Sequence, residues 1–239
     1  MNKGRTMHIG VIGATGTIGS RVVTEALGRG HRVTALSRDA SQIDESRANV
    51  TWKSVDVLDP ASISAILPGL DVLISGFQPG NAAKDLADTV RRSIADPTVH
   101  ATAARALVKA LESHPRTRLI VIGGAGSLET APGVVLADDV ERIHETLDRL
   151  GLPREYAAAA RGARDGLNVL RTSNRLWTYL SPAEEIAPGE RTGRFRLGGD
   201  QVVRDADGRS HISAEDAAVA LIDEVEVPRF VQRRFTLGY

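Results

Sequence analysis

The chain has 239 residues, a mass of 25.5 kDa and 30 basic against 30 acidic side chains, the size of one large α/β domain. Its 42% apolar and 25% charged residues suffice for a buried core, which excludes a disordered or collagen-like chain. The balanced charge disfavours a broad nucleic-acid-binding face, and the absence of cysteine excludes disulfides, thiolate metal sites and cysteine nucleophiles.

The chain contains no run of about 18 apolar residues, which would be needed for a membrane-spanning helix. Glycines interrupt the first apolar stretch, so it lacks the uninterrupted core of a signal peptide. We therefore expect a cytosolic protein, monomeric or homodimeric, that binds neither a membrane nor nucleic acid.

Short β-branched runs alternate with segments of helical periodicity, a pattern typical of βαβ units and a parallel sheet. A first helix ends near residues 28–30. The other predicted helices are residues 60–67, 98–113, 138–149 and 154–171. The predicted strands are residues 8–13, 32–38, 50–56, 71–77, 118–124, 177–182 and 233–238. The fold class is therefore α/β, with a doubly wound parallel sheet.

The region after Pro182 is rich in glycine and proline. We interpret residues 183–211 as a small substrate-side lobe of a single domain that spans residues 1–239. Within it, Arg194–Leu197 and Gln201–Arg204 are predicted to pair as a β-hairpin. Ser213 then caps a final helix, where Asp216 can complete a capping box.

The strongest motif joins the first strand to the first helix through three glycines spaced GxxGxxG. In this interpretation Gly13 permits a tight turn, Gly16 lets the backbone approach a pyrophosphate, and Gly19 lets the helix pack closely. The anion binds at the positive end of that helix. The motif predicts a Rossmann-like NAD(P)-binding fold whose loop contacts the cofactor through Gly13, Thr15, Gly16, Thr17, Ile18 and Gly19. The alternative is that the glycines serve packing alone.

The sequence resembles the short-chain dehydrogenase/reductase superfamily in its atypical NAD(P)H-binding branch. Within that branch it resembles small proteins described as NADH-flavin reductases and their NmrA-like relatives. The segments that carry the resemblance are residues 13–19, 37–38, 55–57, 119–127, 177–182, 188–193, 212–216 and 234–236. These motifs are specific to the superfamily and the branch, and they identify no substrate.

Arg38 ends the second strand at the position that reads the adenosine ribose. An arginine there binds a 2′-phosphate, which predicts NADP(H) as the cofactor. Asp39, one position further on, would instead favour NAD(H) if it faces the ribose. The resemblance implies that Asp56 or Val57 contacts adenine, and the alternative for Asp56 is a cap of the turn that precedes the next helix.

Two further positions are predicted on the nicotinamide side of the cofactor. Gly76 and Phe77 follow the fourth strand, at the carboxyl edge where open α/β sheets bind ligands. The resemblance places the backbone of Pro182 against the nicotinamide amide. No residues are expected to form a metal site.

The catalytic residues implied by the resemblance are Ser127, which would orient a carbonyl, and Tyr156, which would donate a proton. Ser127 has a turn or helix cap as its alternative role. Family members carry a Lys four residues after the tyrosine to lower its pKa. Here that position is Ala160, and Arg161 and Arg164 project from other angles of the helix. We therefore expect Tyr156 to keep a pKa near 10 and to donate poorly.

A missing proton donor favours an acceptor that takes a hydride directly, such as a flavin or a quinone. The sequence therefore predicts an NAD(P)H-dependent reductase of the flavin-reductase type that acts on a flavin-like or quinone-like small molecule. The acceptor would lie between the loop after Phe77, the Ser127 region and the 183–211 lobe. The alternatives are an NmrA-like NADP(H) sensor without catalysis and an NAD(P)-dependent epimerase or isomerase.

Other chemistries find no support in the sequence. His144 and Glu145 begin like a zinc-protease helix, but the second histidine is replaced by Asp148. The chain has neither a G-x-S-x-G elbow nor the lysine of a P-loop. Three further histidines are interpreted as isolated surface or loop residues: His100, His114 and His211.

Overall fold

The computed structural model describes residues 5–40, 49–79 and 85–239. The strands are β1 His8–Ile12, β2 Arg32–Ser37, β3 Val50–Ser54, β4 Val72–Ser75, β5 Arg118–Ile122, β6 Glu129–Ala131, β7 Val134–Val135, β8 Trp177–Ser181, β9 Glu185–Ala187, β10 Arg196–Gly198, β11 His211–Ser213 and β12 Arg233–Gly238. The helices are α1 Thr17–Gly28, α2 Pro60–Ile66, α3 Leu86–Ala95, α4 Val99–Ala110, α5 Val140–Arg149, α6 Ala157–Arg171 and α7 Ala214–Glu226.

The main sheet has the strand order β3-β2-β1-β4-β5-β8-β12-β10 and is parallel except for β10, which runs antiparallel to β12. The order reverses between β1 and β4, and this reversal defines a doubly wound sheet. The predicted Rossmann-like α/β class is confirmed. Most of the predicted strands end one or two residues earlier than expected, because the chain turns away from the sheet at its carboxyl edge.

Helices cover both faces of the sheet. On one face α1 packs against α7, and their small apolar side chains join those of β1, β2 and β12 in one core cluster. On the other face α2, α4 and α6 pack together over β4, β5 and β8 in a second cluster. This arrangement leaves the carboxyl edge of the central strands open between the loops.

Helix α3 was not predicted from the sequence. It begins after Asp85, whose carboxylate accepts a hydrogen bond from the Asp88 backbone N–H. The predicted helix over residues 98–113 is present as α4, which continues into a 3-10 turn at Leu111–Ser113.

The predicted hairpin between Arg194–Leu197 and Gln201–Arg204 is wrong. Strand β10 pairs instead with β12, with Leu197 opposite Leu237. The backbone of the second segment pairs with Glu129 instead. The Glu129 N–H donates to the Asp200 carbonyl, and the Glu129 carbonyl accepts from the Val202 N–H, which forms a β-bridge between Glu129 and Gln201. The 183–211 segment thus contributes an edge strand to the main sheet, and its β9 pairs with β11 in a small second sheet.

Ser213 caps α7 as predicted, because its hydroxyl oxygen accepts a hydrogen bond of 3.0 Å from the Asp216 N–H. The reciprocal half of the capping box does not form. The buried Asp216 carboxylate accepts instead from the Gly193 N–H at 2.7 Å and from the hydroxyl of Tyr239 at 2.8 Å. Asp216 therefore anchors the 188–193 segment and the carboxyl terminus to α7.

No helix in the described ranges is both long and apolar enough to cross a membrane.

Candidate functional site

The loop between β1 and α1 has the geometry of an anion cradle. Gly13 has a φ of +77°, which favours glycine, and its carbonyl accepts a 2.9 Å hydrogen bond from the Gly16 N–H. A Cβ on Gly19 would lie 2.1 Å from the Gly13 carbonyl oxygen, so only glycine permits this approach of helix and loop. No side chain caps the first turn of α1, and no acidic residue occupies it. The N–H groups at the start of α1 are thus free of a competing carboxylate.

A cavity of about 610 Å³ runs from this loop along the carboxyl edge of β1, β4, β5 and β8. It brings together nine of the residues predicted to bind the cofactor: Gly13, Thr15, Gly16, Thr17, Ile18, Gly19, Gly76, Phe77 and Pro182. The glycine cradle and the length of the groove fit a nicotinamide dinucleotide.

Three predicted cofactor residues lie outside this cavity. Arg38 is exposed directly after β2, at the same edge of the sheet. The Asp56 carboxylate accepts a hydrogen bond of 2.9 Å from the Leu58 N–H, so it caps the turn before α2. Val57 is buried in the core. The contacts of these residues with the ribose and adenine remain predictions.

Tyr156 and Ala160 both line the cavity, at the start of α6 and one turn into it. Burial raises the pKa of the Tyr156 phenol, and hydrogen bonding by Ser93 and Gln78 offsets part of that effect. Gln78 donates to the Tyr156 hydroxyl oxygen at 3.4 Å. The expectation of a pKa near 10 is therefore wrong, because burial disfavours the phenolate.

The two arginines nearest in sequence are engaged away from Tyr156. Arg161 donates to the Ala137 carbonyl at 3.3 Å. Arg164 forms ion pairs with Asp138 and Asp165. Neither arginine contributes to the pKa of Tyr156, so neither replaces the lysine of the family pattern.

Ser127 is buried beside the cavity rather than in its wall. Its hydroxyl lies 2.8 Å from the Ser181 hydroxyl and donates to the Gly124 carbonyl at 3.0 Å. Arg234 donates to its carbonyl oxygen and binds Asp200. These contacts form a structural link between the turn after β5 and the start of β12, and the catalytic role of Ser127 remains a prediction.

His100 was wrongly interpreted as an isolated surface or loop residue. It lines the cavity from the first turn of α4, and its ring meets Phe77 edge-on with centroids 5.9 Å apart. Burial lowers the pKa of the imidazole. The helical spacing indicates this position, because His100 is three residues before Ala103 and four before Ala104, which are both buried.

The outer wall of the cavity is apolar and was not predicted. It is formed by α5 and its C-terminal cap, from which Ile143, Leu147 and the cap residue Leu150 face the cavity together with Thr146. Their spacing of four and three residues marks one face of a helix. The sequence predicted this helix but gave no means to place it against the cofactor groove.

Comparison with known proteins gives a consistent family and no substrate. The family described as NAD(P)H-binding matches residues 13–228. A solved structure from Burkholderia pseudomallei, named as a candidate exported protein, is 41% identical and superposes with a TM-score of 0.79 over 98% of this chain and 100% of the other. A candidate epimerase from Bacteroides thetaiotaomicron is 33% identical, with a TM-score of 0.80 over 98% of each chain. A candidate NADH-flavin reductase from Streptococcus pneumoniae is 29% identical, with a TM-score of 0.75 over 97% of this chain and 99% of the other.

Proposed function

The chain belongs to the NAD(P)H-binding family, and we propose that it is a reductase that uses NADP(H) to reduce a flavin-like or quinone-like acceptor. A bound nicotinamide dinucleotide would supply the hydride. The chain's own residues would bind the cofactor, orient the acceptor and exclude water. We include a cytosolic site of action in this proposal.

The observation that carries the proposal is the environment of Tyr156. Its pKa is raised by burial, its hydrogen-bonding neighbours Gln78 and Ser93 are uncharged, and Ala160 takes the place of the lysine. A carbonyl acceptor needs a proton in the transition state, and general acid catalysis of that step typically contributes about 10²- to 10⁴-fold. A flavin or quinone ring can accept a hydride first and be protonated later from solvent.

The proposed binding roles follow the placement of the residues. The N–H groups at the start of α1 hold the pyrophosphate, and Arg38 binds the 2′-phosphate. Gly76 lines the cavity directly after β4 and would let the nicotinamide-side ribose approach the chain closely. Phe77 and His100 form the floor of the acceptor end of the cavity.

Two other functions use the same cofactor site. The relative named as a candidate epimerase favours an isomerase, which would return the hydride to its substrate and consume no cofactor. An NmrA-like sensor would bind NADP(H) and transfer nothing, and the missing lysine is equally compatible with it.

Steady-state oxidation of NADPH, screened with FMN, riboflavin, menadione and simple aldehydes, tests the proposal. We expect turnover with flavins or quinones and little with aldehydes. Turnover confined to aldehydes would contradict the proposal. Tight NADPH binding with no oxidation by any acceptor would favour the sensor or the isomerase.

A further inference from the structure

Glu184 is a buried carboxylate whose position the proposed chemistry does not explain. It follows Pro182 and Ala183 at the end of β8 and lines the cavity, yet its side chain has no exposed surface. Removing a carboxylate from water costs several kcal/mol unless partners compensate for it. Glu184 has two such partners, and they come from different parts of the chain.

The first partner is Arg149, in the last turn of α5, which forms a close ion pair with Glu184. The second is Arg204, in the segment between β10 and β11, whose Nη2 lies 2.8 Å from the Glu184 Oε1. The backbone of Glu184 is held as well, because its N–H donates a hydrogen bond of 3.3 Å to the Ser210 hydroxyl oxygen. Glu184 therefore connects α5 to the 183–211 lobe at the wall of the cavity.

Helix α5 has little other support. Its buried residues Ile143 and Leu147 pack with Leu136 and Ala157 in a small cluster separate from the two core clusters of the sheet. Its other ion pairs are more exposed. Arg149 lies 3.7 Å from Glu185, whose side chain is 36% exposed, and Arg154 and Asp148 are both more than half exposed. Exposed pairs contribute little, whereas ion pairs made by a buried carboxylate are screened much less by the solvent.

We propose that the apolar face of α5 is the surface on which the ring of the acceptor packs, and that Glu184 is the positioning residue that holds α5 there. This inference rests on the proposed function for the identity of the acceptor. The ligand class follows from the wall itself, because the half-buried Leu150 offers apolar area to the face of a flat ring. Ile143 and Leu147 also line the cavity, but each is only 3% exposed and adds little contact area. Loss of the ion pairs that Glu184 forms with Arg149 and Arg204 should therefore make α5 more mobile without altering the glycine loop between β1 and α1.

Hydrogen exchange tests whether Glu184 holds α5 in place, and it requires no assumption about activity. In Glu184→Gln, exchange of the backbone amides of residues 140–149 should rise about tenfold or more, while exchange of α1 stays unchanged. Asp148→Asn is the matched control, since it removes an exposed carboxylate from the same helix, and its effect should stay below about twofold. Unchanged exchange of α5 in a folded Glu184→Gln protein would overturn the proposal.

Ligand binding tests the wall. Titration of FMN and of menadione into the NADP⁺-loaded protein should show a Kd raised about fivefold by Leu150→Ala and about tenfold by Glu184→Gln. Val140→Ala, at an exposed position of the same helix, should leave the Kd unchanged. The Kd of NADP⁺ itself should be unchanged in all three variants. A wild-type protein that binds neither probe, or a Leu150→Ala protein that binds both as tightly as wild type, would overturn the proposal.

A positioning role also differs from a merely structural one in kinetics. Glu184→Gln should raise the acceptor KM with kcat changed less than about twofold, whereas partial unfolding would lower kcat at constant KM. Arg149→Met should also raise KM, and the effect of the double variant should be smaller than the product of the two single effects, because both changes break the Arg149–Glu184 pair. Effects that multiply, or a fall in kcat alone, would overturn the proposal. If the wild-type protein binds FMN without oxidising NADPH, the proposed function fails. The Kd and hydrogen-exchange measurements still test the proposed role of α5 and Glu184 in that case.

Discussion

Replacement of Gly19 by alanine should damage the cofactor site through backbone displacement. The added Cβ would lie 2.1 Å from the Gly13 carbonyl oxygen and 2.8 Å from its carbon, whereas real Cβ contacts shorter than 3.0 Å are essentially absent. The carbonyl must therefore move by about 0.9 Å or more, and it also accepts the Gly16 N–H that closes the loop. Overpacking of this kind typically costs about 1–3 kcal/mol of stability.

The same displacement should weaken NADPH binding. A moved loop misplaces the N–H groups that face the pyrophosphate, and a hydrogen bond to a charged group contributes about 1.5–3 kcal/mol. We therefore expect the NADPH Kd of Gly19→Ala to rise by about ten- to a hundredfold in a fluorescence titration. Denaturation curves measured in parallel give the change in stability.

Gly28→Ala is the matched control for this experiment. Gly28 ends the same helix, and a Cβ there would find no atom within 4 Å. Alanine at this position should be neutral or should stabilise the protein by up to about 1 kcal/mol, with NADPH binding unchanged. If Gly19→Ala binds NADPH as tightly as Gly28→Ala does, the close approach of α1 to the loop does not shape the cofactor site and the reasoning is refuted.

Three further predictions concern single side chains. Arg38→Ala should weaken NADPH about tenfold or more and leave NADH little changed in the same titration, and equal weakening of both would mean that Asp39 or another residue reads the ribose. Tyr156→Phe should retain most of the kcat for FMN reduction, whereas a loss of about a thousandfold with intact NADPH binding would identify Tyr156 as a proton donor and favour carbonyl reduction. The lowered pKa of His100 means that folding favours its neutral form, so stability is lost as pH falls below about 6.5 towards the folded pKa. His100→Gln should lose less unfolding free energy than wild type between pH 7 and pH 5, and equal losses would place the proton uptake elsewhere.

The fold and the cofactor half of the site were predictable because their signals are local. The spacing of Gly13, Gly16 and Gly19 between a β-branched run and an amphipathic helix specifies a loop geometry within a few residues of sequence. Strands such as β1 and β4 are buried on both faces and are therefore recognisable as short apolar runs. The carboxyl edge of the sheet then follows from the parallel topology.

The acceptor half of the site was less predictable because it depends on contacts between distant segments. Glu184 acquires its environment from Arg149 and Arg204, which are 35 and 20 residues away in the chain. The hairpin prediction failed for the same reason, since Glu129 and β12 compete for the backbone of that region. Local propensity does not reveal such competition.

The placement of Ala160 links the two halves of the site. A Cβ on Gly126 would lie 2.7 Å from the Ala160 Cβ, so α6 approaches the turn after β5 through two small residues. Tyr156, four residues before Ala160, accepts a hydrogen bond from the neutral side chain of Gln78, and no cation contributes to the pKa of its phenol. Because burial raises that pKa, the phenol binds its proton more tightly than it does in water. This environment supports the proposal that hydride transfer precedes protonation, as it can with a flavin-like or quinone-like ring.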